Sequence, residues 1–217
     1  MFRQRAVLGW VLYDFANVIY ALGVVGLYLP LWIVDEQGGR DRHIAMSTSF
    51  ATFIIFLLAP RLGLRADRTG HRVRPLAICT ALCALLTVFI GTGSLYQSMV
   101  TFSLATIAFG CGLVFYDSLL PVVSTAEDRG RISGLGMAAG FGGALLAIST
   151  GIAILAIRPE GKPLVFVALG MLFFIGAIPC FLWVRDPKRA DHASDRPPIS
   201  VRHMLQRCRE QPGVMRF

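Results

Sequence analysis

Charged residues are scarce in this chain. Asp, Glu, Lys and Arg make up only 16% of its 217 residues, whereas hydrophobic residues make up 55% and the mean hydropathy is +0.62. A soluble domain of this length carries more charge than that. The apolar residues form six stretches, each about 20 residues or more and able to cross a hydrocarbon core about 30 Å thick. The sequence therefore predicts an all-α membrane protein with spans at about 6–32, 44–64, 75–95, 98–122, 132–157 and 164–184.

Sequence patterns typical of membrane enzymes and ATP-driven pumps are also missing. The chain contains no H-E-x-x-H, no D-x-x-D-G and no G-x-x-x-x-G-K nucleotide-binding loop. Four of the five cysteines lie within apolar stretches, so no pair of cysteines is available for an extracellular disulfide. All four histidines lie outside these stretches. We therefore expect no catalytic site, no cofactor and no metal site.

Basic residues outnumber acidic ones, 21 to 13, and their distribution along the chain is uneven. If the spans alternate in direction, 17 of the 21 lie on the side of the N-terminus. The positive-inside rule then places both ends of this chain in the cytoplasm, at the inner membrane if the source is bacterial. Because the basic residues flank spans in a lipid bilayer and form no soluble domain, the net charge of +8 indicates no nucleic-acid partner.

The connection between the second and third stretches has the most specific pattern. It reads G-x-x-x-D-R-x-G-x-R, formed by Gly63, Asp67, Arg68, Gly70 and Arg72. This spacing resembles the loop between helices 2 and 3 of the major facilitator superfamily, where glycines permit a tight turn and the charges form a conformational latch between two helix bundles. The resemblance implies that residues 1–184 form the N-terminal half of a twelve-span transporter, built from two inverted three-helix repeats.

Three further stretches narrow the resemblance. These are Gly9–Asn17, Phe115–Pro121 and Ser133–Gly143, which are similar to the autophagy-related vacuolar amino-acid effluxers and their bacterial relatives. That family implies secondary active transport of a small solute by alternating access, and in its fungal members efflux of amino acids. Arg65 and His71 depart from the usual superfamily loop. A scaffold or receptor that uses a transporter fold without transporting stays open as the alternative.

Only two acidic residues, Asp14 and Asp117, fall clearly inside the predicted spans. A carboxylate at mid-bilayer costs about 2.5–3.5 kcal/mol on insertion scales, so it normally faces a cavity or a partner. At 1.5 Å per residue both would lie roughly 8–12 Å from the cytoplasmic surface. Their equal depth would allow them to share one site.

Asp14 has polar and aromatic neighbours along its helix. Trp10 precedes it by four residues and Asn17 follows by three, so the three side chains share a face, and Tyr13 and Tyr20 border that face. Such a group is suited to bind the amino group of a small zwitterion or to exchange a proton. The structural alternative is that Asp14 and Asn17 only join neighbouring helices by hydrogen bonds.

For Asp117 two roles stay open. The superfamily resemblance implies that an acid at the inner end of the fourth span pairs with an arginine of the latch, here Arg68 or Arg72. Asp117 would then belong to the conformational latch. The other role is a substrate or proton site shared with Asp14.

The fifth stretch is rich in glycine. Gly136, Gly140 and Gly143 are spaced so that another helix can approach closely, whether for static packing or for sliding during transport. The antiporter signature of drug exporters has a proline after such a glycine, but this chain has Phe141 after Gly140. We therefore do not expect multidrug export.

The segment 185–217 has a different composition from the spans. Its charges and adjacent prolines predict a cytoplasmic linker, and a short amphipathic helix starting at Ser200 is one form it can take; a solvated linker is the other. The chain ends where a seventh span is expected. We therefore expect its partners to be a small-molecule substrate and either a C-terminal half of the same protein or a second copy.

Overall fold

A computed structural model of the protein describes residues 2–186, which form a helical bundle. Within these residues, six helical segments are long and apolar enough to cross a membrane, and we call them spans 1 to 6. Their bounds are Arg3–Asp35, Asp41–Thr69, Val73–Thr92, Leu95–Val123, Arg129–Ile157 and Lys162–Trp183. The all-α fold class with six spans is confirmed. The predicted linker and amphipathic helix lie outside the described residues from residue 187 onward.

Span 1 changes its helical winding near its middle. It consists of an α-helix Phe2–Val18, a π-helix Ile19–Tyr28 and a second α-helix Leu29–Asp35. Pro30 has no backbone N–H and its ring displaces the carbonyl four residues earlier, which favours a wider winding just before it. The amide of Leu29 accordingly donates to the carbonyl of Val24, five residues back.

Span 2 is longer than the sequence predicts. The helix continues to Thr69, so Gly63, Asp67 and Arg68 lie on its last turns and not in a loop. The residues from 64 to 68 are mostly good helix formers, and only Gly70, with φ of 69°, adopts the left-handed conformation that ends a helix. The expectation that both glycines form the turn is therefore wrong for Gly63, since Gly70 alone makes it.

The packing of the spans has an internal symmetry. Span 1 packs against spans 5 and 6, span 4 packs against spans 2 and 3, and span 3 packs against span 6. Exchanging span 1 with 4, span 2 with 5 and span 3 with 6 leaves this set of the most extensive pairs unchanged, whereas the smaller contact of span 5 with span 6 has no counterpart of similar extent between spans 2 and 3. The main packing pairs thus agree with the predicted pair of inverted three-helix repeats.

Spans 2 and 5 are the least covered by the bundle. Only 6% of the apolar window of span 2 and 28% of that of span 5 are buried, against 50% for spans 1 and 4. Large apolar side chains such as Phe53, Phe56 and Phe141 are exposed on them. Apolar surface of this extent is unstable in water, so we expect lipid or further protein to cover these faces.

Candidate functional site

Three aromatic rings join spans 1 and 4. The ring of Tyr116 lies between those of Trp10 and Tyr13, with centroid distances of 4.8 and 4.7 Å and interplanar angles of 11° and 27°. The Tyr116 hydroxyl donates to the backbone carbonyl of Trp10 at 3.2 Å. All three side chains are buried. Tyr116 was not predicted as a site residue, although it lies next to Asp117 in the stretch that carried the family resemblance.

Tyr13 is held from a third helix. Its hydroxyl lies 2.6 Å from Oγ1 of Thr80 in span 3, and Thr80 donates its own proton to the carbonyl of Leu76 at 2.9 Å. The Tyr13 hydroxyl is therefore the donor to Thr80, because a threonine hydroxyl has only one proton. The ring of Phe181 in span 6 packs edge-on against Tyr13. Four spans thus fix the position of Tyr13.

Asp14 lies beside this aromatic stack and is half-buried. Its carboxylate interacts with the side-chain amide of Asn17 and with the hydroxyl of Tyr116. Gly136 of span 5 is in contact with it, since a Cβ at that position would lie 2.5 Å from Asp14 Oδ2 and 2.8 Å from Trp10 Cζ3. The predicted grouping of Asp14 with Trp10, Tyr13 and Asn17 is therefore present, with Tyr116 and Gly136 added.

Two buried polar atoms of this group have no hydrogen-bond partner among residues 2–186. They are Nε1 of Trp10 and Oδ1 of Asn17, whose residues are 3% and 5% exposed. A buried donor or acceptor left unpaired costs about 1–3 kcal/mol, so buried polar atoms normally form a hydrogen bond with the protein, with water or with a ligand. Together with the Asp14 carboxylate they offer one hydrogen-bond donor, one neutral acceptor and one negative charge.

Asp117 lies on the exposed surface of span 4 and interacts electrostatically with Asp14. Among the described residues neither carboxylate has a basic partner. The structure does not bring Asp117 to Arg68 or Arg72. Instead, the Arg72 guanidinium lies 3.3 Å from Oδ1 of Asp67.

Tyr20 lies in the bundle core, away from this group. Its hydroxyl is 3.1 Å from Oγ1 of Thr106, and its ring packs on Phe109 and Phe173 at centroid distances of 4.7 and 5.8 Å. It is six residues beyond Asp14, or about 9 Å along the helix axis. Packing of spans 1, 4 and 6 accounts for its contacts.

The glycines of span 5 lie along the line where it crosses span 1. A Cβ at Gly140 would lie 2.8 Å from Cγ2 of Val18, and a Cβ at Gly143 would overlap the backbone carbonyl of Phe15. These contacts leave no space for a side chain. Gly136, Gly140 and Gly143 therefore permit the close approach of spans 1 and 5 that the glycine spacing predicts.

A polar cluster that the sequence did not indicate joins the start of span 3 to the segment just after span 6. Oδ1 of Asp186 accepts hydrogen bonds from the backbone amides of Arg72 at 2.8 Å and Val73 at 2.9 Å, and its Oδ2 lies 3.5 Å from Nδ1 of His71. Asp186, in the segment that follows span 6, thus caps the N-terminus of span 3. The residues before and after the helix boundary give no local sign of this contact.

The family model of the Major Facilitator Superfamily matches residues 6–212 of this chain. The chain belongs to the major facilitator superfamily. Two curated relatives are an uncharacterized protein of Aquifex aeolicus and the uncharacterized MFS-type transporter YxiO of Bacillus subtilis. The first is 28% identical over 83% of this chain and 46% of the relative, and the second is 27% identical over 77% and 42%.

This superfamily chain spans less than half the length of the curated relatives it matches. No solved structure matches it. Neither relative's name states a substrate or the vacuolar effluxer family, so amino-acid efflux stays a prediction. Within residues 2–186, no group of three or more histidine, cysteine or acidic side chains is placed to hold a metal ion.

Proposed function

We propose that this chain forms the N-terminal bundle of a secondary active transporter, which moves a small solute across a membrane by alternating access. The carboxylate of Asp14 is the proposed binding group for the solute's amino group or for a coupling proton. The observation that carries the proposal is this carboxylate, half-buried within a span and without a basic partner in the described residues.

The energetics support a transport role for Asp14. A charged carboxylate inside the bilayer costs about 2.5–3.5 kcal/mol unless it faces water, a ligand or a counter-charge. Tyr116 and Asn17 interact with it through neutral groups only. A cation or a proton that arrives at the site therefore finds an unneutralised charge.

The neighbouring polar atoms favour a zwitterionic solute such as an amino acid. The unpaired Nε1 of Trp10 is a donor suited to a carboxylate, while Asp14 and Oδ1 of Asn17 are acceptors suited to an ammonium group. This chemistry agrees with the amino-acid effluxer resemblance of spans 1, 4 and 5.

The rest of the transport machinery belongs to the proposal as well. The ion pair of Asp67 and Arg72 at the inner end of spans 2 and 3 is the proposed conformational latch, together with Arg68 and Gly70. The uncovered faces of spans 2 and 5 are the proposed contact surface for the other half of the transporter or for a second copy.

The test is transport by the protein expressed from its native gene and reconstituted into liposomes. A panel of labelled amino acids is supplied with and without an imposed pH gradient. We expect accumulation of at least one amino acid above its equilibrium level, a decrease of at least tenfold in Asp14→Asn, and near-normal uptake in Glu160→Gln, which removes an exposed acid in an outer connection. Absence of uptake for every solute would favour the scaffold alternative. Normal uptake by Asp14→Asn would exclude the Asp14 carboxylate as the binding group.

A further inference from the structure

A groove runs between the first turns of spans 1 and 5, at the end of the bundle that the charge bias places in the cytoplasm. It has a volume of about 640 Å³. Its walls are apolar, formed by Val7, Leu8, Val11, Ile132 and Leu135, and its mouth is polar, formed by Arg3, Gln4, Asp128 and Arg131. Leu8 and Leu135 are 48% and 49% exposed, so the bundle leaves the groove open along its length.

The mouth of the groove carries an excess of positive charge. The Arg3 guanidinium forms an ion pair with the carboxylate of Asp128, which ties the start of span 1 to the start of span 5. Arg131, one turn after Asp128, is exposed and has no ion pair or hydrogen bond among residues 2–186. One guanidinium is thus balanced by a carboxylate while the other is left to bind an anion.

The internal symmetry of the bundle supplies a comparison within the same molecule. Exchanging span 1 with 4 and span 5 with 2 relates this groove to a second one, between the first turns of spans 4 and 2 at the opposite end. The second groove has about 320 Å³ and is lined by Met46, Ser47, Phe50, Tyr96, Met99, Val100, Ser103 and Leu104, with no charged residue. Of these two symmetry-related grooves, the one at the predicted cytoplasmic end combines apolar walls with a cationic mouth, and the other has no charged lining residue.

We propose that the groove between spans 1 and 5 binds an anionic phospholipid, with its phosphate at Arg131 and an acyl chain along Leu8, Val11 and Leu135. From Arg3 to Val11 the groove measures about 12 Å along the helix axis, which fits within one leaflet of about 15 Å. A basic pocket between spans on the cytoplasmic side complements such a lipid, whose negative headgroup binds the basic residue and whose chain binds the apolar walls. A soluble anion would not need the apolar walls.

The experiment uses the full protein in vesicles with a tryptophan reporter in each groove. Leu8→Trp reports the groove of spans 1 and 5, and Val100→Trp reports the groove of spans 4 and 2. Quenching by phosphatidylglycerol with brominated acyl chains is compared with quenching by brominated phosphatidylcholine, after subtraction of the signal of the parent protein. We expect about fivefold preferred association of phosphatidylglycerol at Leu8→Trp and no preference at Val100→Trp, since one arginine near the surface contributes about that factor.

Three arginine variants in the Leu8→Trp background separate a specific site from general surface charge. Arg131→Gln should lower the preference to near one, and Arg131→Lys should keep most of it. Arg129→Gln removes a nearby positive charge whose Nε lies 3.4 Å from Oγ of Ser124 and which does not line the groove, so it should leave the preference unchanged. All of these arginines are exposed, and correct folding is checked by the elution profile in detergent.

The proposal is overturned by any of three results. Equal quenching by both lipids at Leu8→Trp would exclude headgroup selection. An equal loss of preference in Arg129→Gln and Arg131→Gln would attribute the effect to the surface potential. Quenching at Leu8→Trp by neither lipid would show that another part of the protein covers the groove.

Discussion

The carboxylate of Asp14 in span 1 lies directly against Gly136 in span 5. A Cβ at residue 136 would stand 2.5 Å from Oδ2 of Asp14 and 2.8 Å from Cζ3 of Trp10, closer than Cβ atoms approach other residues in proteins. The absence of a side chain at residue 136 therefore determines how near span 5 comes to the candidate binding group. It also makes this position a sensitive point for mutation.

Gly136→Ala should impair both packing and transport. The added methyl group must displace the Asp14 carboxylate or separate spans 1 and 5, and overpacking of this kind costs about 1–3 kcal/mol. We expect a lower thermal unfolding temperature and at least a tenfold decrease in amino-acid uptake.

Gly134→Ala, two residues away on the same helix, is the matched control for Gly136→Ala. Nothing lies within 4 Å of a Cβ at residue 134, and alanine is favoured over glycine in a helix by about 1 kcal/mol. We expect unchanged or slightly higher stability and normal uptake. Equal effects of the two substitutions would contradict the role assigned to the contact of Gly136 with Asp14.

Tyr116 should contribute stability mainly through its ring and less through its hydroxyl. Tyr116→Phe keeps the stacking on Trp10 and Tyr13 and removes the hydroxyl that donates to the Trp10 carbonyl and interacts with the Asp14 carboxylate. Loss of a hydrogen bond costs about 0.5–1.5 kcal/mol. Tyr116→Ala leaves a cavity between the two rings, for which about 3–5 kcal/mol is expected. Unfolding followed by tryptophan fluorescence measures both, and a similar loss in the two variants would show that the hydroxyl dominates.

Asp186 should stabilise the bundle through its cap on span 3. Asp186→Ala removes the acceptor of the Arg72 and Val73 amides, and losing a helix cap costs about 0.5–2 kcal/mol. Asp186→Asn keeps an acceptor oxygen and should retain most of the stability. If both variants unfold at the temperature of the parent protein, the contact has no energetic role.

Unlike Asp186, Asp67 should affect transport and have little effect on stability. Its side chain is 72% exposed, and an exposed ion pair such as that with Arg72 contributes at most about 1 kcal/mol. If the pair is part of the conformational latch, Asp67→Asn should change the uptake rate several-fold without moving the unfolding temperature. Normal uptake by this variant would remove Asp67 from the proposed latch.

Protonation of Asp128 should lower the stability of the fold at acidic pH. A hydrogen bond from the Thr125 amide, more than the nearby Arg3 guanidinium, holds the pKa of Asp128 below its usual range. Because the folded pKa lies below the unfolded one, near 3.9, the ionised carboxylate stabilises the fold above the unfolded pKa. That contribution is lost as the pH falls through the folded pKa.

Asp128→Asn tests this pH dependence. The difference in unfolding temperature between the parent protein and the variant should be constant from about pH 8 to pH 5 and should shrink below about pH 4. Glu127→Gln removes a neighbouring charge that forms no ion pair within residues 2–186 and serves as the control. A difference that persists unchanged to pH 3 would exclude the carboxylate charge as its source.

The number of spans and the grouping of residues along span 1 could be predicted from local sequence. Hydropathy over about 20 residues is a sum over neighbours in the chain, so it indicates a span whatever packs against it. In the same way the helical period places Trp10, Asp14 and Asn17 on one face. The superfamily pattern around Gly70 was equally readable because it is contiguous.

The contacts between distant segments depended on the tertiary structure. The position of Tyr116 between Trp10 and Tyr13, the bond of Tyr13 to Thr80 and the cap of Asp186 on span 3 each join residues more than 60 positions apart. Such pairs are set by which helices pack together and at what rotation, and no single stretch of sequence contains that information. The separation of Asp117 from Arg72, and the pairing of Arg72 with Asp67, were decided by the same packing.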